Sequence, residues 1–196
     1  PTDRVTEAIS RLPKAGDSGR YTVKSEFARG GMGRVLLALD NAVGREVAMK
    51  ELLPGAMGSS SLPASAKDAS RGELVERFLR EAKVTGQLEH PNIVPVYEIG
   101  KHADESLYYT MKFVRGETLA RKLSKITRDA GLDRKQKLAA RLKLLDAFID
   151  VCNAVAYAHS RGVIHRDIKP ENVMAGEYGE TVVLDWGLAR VKGQED

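Results

Sequence analysis

HRDIKPEN (residues 165–172) is followed, thirteen residues after Asn172, by the aspartate of VVLDWG (182–187). Asp167, Lys169 and Asn172 share one loop, and Asp185 ends an apolar strand near enough for a strand hairpin to return it to that loop. Transfer of a phosphoryl group needs a carboxylate to orient the attacking hydroxyl, a cation on the moving phosphate and oxygen ligands for magnesium. These few residues hold all of them, in a pattern that a purely structural loop has no reason to assemble.

Working outward, FARGGMGRV (27–35) lies between two strand-like runs, YTVKSEFA (21–28) and RVLLALD (34–40). Glycines there let the backbone approach phosphates and turn its N–H groups toward them. The spacing G-x-G-x-x-G would put glycine at 28, 30 and 33, and the chain has Ala28, Gly30 and Gly33, so a plain hairpin turn and a phosphate loop are both open. A third strand-like run, REVAMKELL (45–53), carries Lys50 and completes an antiparallel meander. After a Ser/Ala/Gly/Pro stretch at 54–70, expected to be a mobile insertion with either a linker role or phosphorylated serines, Ser70 and Glu73 form a possible capping box. Leu74, Phe78, Glu81, Thr85 and Leu88 then recur at helical spacing, which turns Glu81 inward. A buried carboxylate is costly without a cation, so Glu81 predicts a partner, and Lys50 is the natural one. Two unrelated surface charges is the competing reading.

NIVPVYEIG (92–100) and SLYYTMKFV (106–114) add two strands, giving a five-stranded sheet. A second long helix is signalled by Leu142, Leu145, Ile149, Cys152, Ala156 and His159 on one stripe, ended by Gly162. Short strands follow at 162–164, 173–175 and 182–184.

The chain has 196 residues, 42% hydrophobic and 30% charged, enough to bury a core, and two lobes are expected. No apolar run approaches the roughly 20 residues that span a bilayer, and PTDRVTEAISRLPK has no apolar signal region, so neither membrane insertion nor secretion is expected. Cys152 is the single cysteine, which excludes an internal disulfide, fits a reducing cytoplasm and, from its place on the stripe, predicts a packed thiol. A net charge of +4 is too weak to call for nucleic acid. Between Lys112 and Lys143 eleven basic residues face three acidic ones, readable as a solvated helix face or as a surface for an acidic partner.

Together these motifs resemble the eukaryotic-type protein kinases, and GGMGRV (30–35), HPNIV (90–94) and HRDIKPEN are most similar to bacterial Ser/Thr members; the likeness covers residues 21–190 in the family's order. It implies an α+β, protein-kinase-like bilobal fold: an extension at 1–20, a small lobe at 21–113 with a five-stranded antiparallel sheet and one helix, and an incomplete helical large lobe at 114–196. By resemblance, Ala28, Gly30, Gly31 and Gly33 lie over the triphosphate of ATP, Lys50 binds its alpha and beta phosphates, and Glu81 orients Lys50. Asp167 is the catalytic base, Lys169 stabilises the gamma phosphate, and Asn172 and Asp185 hold Mg2+, with His165 and Arg166 in support. Met111 guards the back pocket, Lys112 and Val114 offer backbone groups to adenine, and Val35, Ala48 and Met174 sandwich its ring. The implied partner is a protein with Ser or Thr hydroxyls, the chain's own included, and the alternative is an ATP-binding or partner-binding module without useful turnover.

Three departures matter. Ala28 replaces the first loop glycine, and Trp186 stands where the family usually has phenylalanine. The chain also stops at Asp196, before the Ala-Pro-Glu motif and the helices that follow it in the family, so the stripe from Leu142 to His159 is expected to be partly exposed and to favour homo-oligomers or segment exchange.

Overall fold

The computed structural model describes residues 7, 10, 19–30, 33–53 and 64–193, with 64–71 described by backbone alone. Most of the extension at 1–20, the loop residue Gly31 and the first ten residues of the expected insertion, 54–63, lie outside them. The described residues fall into two compact units, one drawn from 1–86 and 95–113, the other from 87–94 and 114–196.

In the first unit, β1 (Tyr21–Arg29), β2 (Gly33–Asp40) and β3 (Arg45–Leu52) form the meander, and β4 (Val96–Lys101) and β5 (Leu107–Lys112) complete an antiparallel sheet of order β1-β2-β3-β5-β4. Gly44, at φ 73°, closes the β2–β3 turn by donating to the Asp40 carbonyl at 2.7 Å, a conformation that a side chain at Cβ disfavours. One face of the sheet packs Leu36, Ala38, Val47, Met49 and Tyr108. The other, through Leu107 and Tyr109, receives α1 (Ala64–Gly86), whose Val75, Phe78, Leu79 and Ala82 recur at the three-and-four spacing of a buried helical stripe.

The helix starts at Ala64, six residues before Ser70 and inside the stretch expected to be an insertion. Ala64, Ala66, Lys67 and Ala69 are strong helix formers with no glycine or proline among them, and this local propensity carries the helix past the capping box. The expected strand at 92–100 is likewise divided. Pro95 has no N–H for a ladder, and β4 starts only at Val96. Asn92, Ile93 and Val94 belong to the other unit, where Val183 donates to the Asn92 carbonyl at 2.8 Å and accepts from the Val94 N–H at 3.2 Å.

The second unit holds a three-stranded sheet of order β6 (Gly116–Thr118), β8 (Val173–Gly176), β9 (Thr181–Val183), a short pair of β7 (Val163–Ile164) with β10 (Arg190–Val191), and three helices. The basic run forms α2 (Leu119–Arg128), capped by Thr118, and α3 (Arg134–Leu142), which opens with a capping box of Asp133 and Gln136; neither helix has a fully buried residue. The long helix α4 spans Leu145–Ser160 and buries Ala147, Val151, Ala154 and Ala158 against β7 and β9. The predicted stripe is therefore the opposite face. Cys152 is exposed beside Phe148 and Ile149, not packed, because its neighbour Val151 takes the inward position and the next residue is turned roughly 100° away. Among the described residues, no helix is long and apolar enough to cross a membrane.

Candidate active site

Two clusters of chemistry-bearing side chains form, one in each unit. In the first, β3 and β5 are neighbours in a register that sets Lys50 opposite Tyr109, on the face covered by α1. Lys50 Nζ donates to Glu81 Oε1 at 2.5 Å, and the Tyr109 hydroxyl donates to the same oxygen at 2.6 Å. Glu81 is 2% exposed and its Oε2 has no hydrogen-bond partner among the described residues. The sequence pattern gives Lys50 and Glu81; Tyr109 was not among the predicted groups, because only the β3–β5 register decides which tyrosine of LYYT faces the helix.

At the start of β2 the Gly30 N–H donates to the Gly33 carbonyl at 2.8 Å, and a Cβ on Gly33 would run into the Glu51 carbonyl oxygen of β3. Ala28 pairs with Val35 across β1 and β2, Val35 lies opposite Lys50, and Ala48 opposite Met111. The Lys112 N–H, one of the backbone groups expected to meet a base, is taken by the Pro95 carbonyl at 3.1 Å. Val114 and Met174 are buried in the second unit.

The second cluster is built on the loop between β7 and β8 and on the end of β9. Lys169 Nζ donates to Asp167 Oδ2 at 2.7 Å and Asn172 Nδ2 donates to the same oxygen at 3.0 Å and to the Asp167 carbonyl at 2.9 Å. The Lys169 ammonium, helped by Asn172, holds the Asp167 carboxyl below the usual carboxylate range, and Asp167 in turn raises Lys169. Asp167 is thus ionised at neutral pH and able to accept a proton. The Leu184 N–H donates to the Asn172 carbonyl at 2.8 Å, which brings Asp185 to the residue next to that bond. Arg166, at φ 66°, and Asp185, at φ 57°, are two of the three non-glycine residues with positive φ among those described, a conformation L side chains adopt only when their surroundings impose it. The Arg166 guanidinium donates from Nε to the Leu188 carbonyl at 2.7 Å.

His165 fixes this geometry. Its Nε2 faces the Leu184 carbonyl at 3.0 Å and its Nδ1 the Asp167 N–H at 3.2 Å; a carbonyl only accepts and an N–H only donates, so the ring is neutral with its proton on Nε2. Burial pushes its pKa down. The Trp186 ring packs on it at 4.5 Å, and the buried Trp186 Nε1 has no partner among the described residues.

No group of three or more His, Cys, Asp and Glu side chains that could hold a metal occurs among the described residues. Asp185, exposed with its Oδ1 accepting only a long 3.4 Å contact from the Gly187 N–H, and the neighbouring Asn172 amide offer the hard oxygen donors suited to magnesium, which keeps waters and phosphate oxygens in the rest of its shell.

Residues 21–196 match the family described as protein kinase domain. The chain is 41% identical over 172 residues to the serine/threonine-protein kinase PknD of Protochlamydia amoebophila (strain UWE25), covering 87% of this chain and 16% of that protein. It is 40% identical over 175 residues to the PknD of Chlamydia muridarum (strain MoPn / Nigg), covering 88% and 17%, and 37% identical over 179 residues to that of Chlamydia caviae, covering 90% and 18%. The chain thus spans between 16% and 18% of the length of these relatives.

Proposed function

Since the chain belongs to the protein kinase domain family, we propose that it transfers the gamma phosphate of ATP to Ser and Thr hydroxyls of proteins, its own included. What supports this above all is the Asp167 cluster: an ionised carboxylate with a lysine on one side and an asparagine tied to the strand before Asp185 on the other. Asp167 accepts a hydrogen bond from the substrate hydroxyl and takes its proton as that oxygen bonds to phosphorus. The bond from the gamma phosphorus to the bridging oxygen breaks, and ADP leaves. Lys169, paired with Asp167 at rest, turns its charge to the transferring phosphate, and Lys50, held by Glu81, meets the alpha and beta phosphates. Asn172 and Asp185 would hold magnesium, which when bound neutralises charge on the phosphate oxygens. In the first unit Ala28, Gly30 and Gly33 are assigned to the triphosphate, and Val35, Ala48, Met111 and Lys112 to the base; in the second, Val114 and Met174 are apolar residues of the kind a base packs against.

The experiment is incubation of the chain with labelled ATP and Mg2+ beside an Asp167→Asn variant. Incorporated label in the parent and a loss of roughly a hundredfold or more in the variant is expected, the scale of a positioned general base. Nucleotide binding with no label on either protein would replace catalysis by the binding-module reading. The exposed face of α4 supports association with a second copy of the chain, and a cytoplasmic setting, where ATP is supplied, accompanies the whole reading.

A further inference from the structure

We propose that Tyr109 is a positioning residue that holds the Glu81 carboxylate and, through it, the Lys50 ammonium. Three observations from different elements meet on its side chain. Its register on β5 sets it opposite Lys50, and residues directly opposite in an antiparallel pair project from the same face. Its ring packs against Phe78, one helical turn before Glu81, at a centroid distance of 5.2 Å, and lies 5.9 Å from Lys50 Nζ. Its hydroxyl then reaches Glu81 Oε1 at 2.6 Å, within the span of an O–H donor on an ionised carboxylate.

The chemistry explains why a tyrosine is useful here. At 3% exposure its hydroxyl needs an acceptor, and the Glu81 carboxylate accepts from it. Glu81 needs donors even more. Both of its donors converge on Oε1 while Oε2 has none among the described residues, so without the tyrosine hydroxyl one ammonium would be the sole group fixing a desolvated charge on a side chain with three rotatable bonds. Phenylalanine at this position would keep the contact with Phe78 and lose only the oxygen. The role of Lys50 toward phosphate rests on the function proposed above; the effect of Tyr109 on Lys50 does not.

The test is competitive acylation of lysines in the nucleotide-free chain, read by peptide mass spectrometry, with Lys83 on the exposed side of α1 as the internal standard. A lysine Nζ held against a carboxylate at 2.5 Å is less accessible to the reagent than one on an exposed helix face. In Tyr109→Phe, acylation of Lys50 relative to Lys83 is expected to rise about three- to tenfold, the range for removing one typical intramolecular hydrogen bond. In a Glu81→Gln background, where no carboxylate holds the ammonium, the same change should add nothing, a non-additivity that a packing role would not produce. Unchanged Lys50 reactivity in Tyr109→Phe, or an equal effect in both backgrounds, overturns the proposal. Protection of Lys50 by Mg2+ and ATP is scored separately in the parent: its absence counts against the kinase reading and leaves the nucleotide-free comparison standing.

Discussion

His165 shows how one residue in this site depends on its charge. Its Nδ1 accepts from the Asp167 N–H and its Nε2–H donates to the Leu184 carbonyl, so it ties the loop to the strand end only while neutral. Burial has lowered its pKa from the ordinary 6.5, which means that below 6.5 the unfolded chain binds a proton that the folded one resists. Folding stability is therefore complete above that pH and falls as the pH drops from 6.5 toward the depressed value, as linkage requires. Denaturant midpoints across pH 5 to 7.5 should show this slope, and a His165→Gln variant should flatten it; equal slopes would exclude His165 as its source. The residues of both clusters were legible in the sequence by type and spacing. Tyr109 was not, because its role comes from a cross-strand register that no local pattern specifies.

At the scale of elements, α1 is what delivers Glu81. Its stripe of Val75, Phe78, Leu79 and Ala82 locks the rotation of the helix against the sheet, and Glu81 follows Leu79 at the edge of that stripe. Phe78, 1% exposed and against Tyr109, is the anchor. Phe78→Ala should cost about 3–5 kcal/mol of unfolding free energy, the usual loss for emptying a buried aromatic site, measured by denaturant titration. A loss within about 0.5 kcal/mol, the range of surface substitutions, would mean the helix is held elsewhere. Element types were readable from periodicity throughout, whereas their limits were not. Helix propensity at 64–70 extended α1 beyond its apparent cap, and Pro95 split one apolar run between two units.

For the molecule as a whole, the exposed row Leu142, Leu145, Phe148 and Ile149, with Phe148 61% exposed, is the surface from which self-association is expected. Light scattering over a concentration series should give a rising mass for the parent and a constant monomer mass for a Phe148→Lys, Ile149→Lys double variant. A parent that stays monomeric throughout would dismiss the association. By itself the sequence determined the family and the α+β architecture, and it named the groups proposed for phosphoryl transfer, because loop spacing and hydrophobic period are local properties written residue by residue. Only tertiary structure decided which face of α4 is buried, where the 92–100 run divides and which hydroxyl supports Glu81, since each depends on long-range packing and register between segments far apart in the chain.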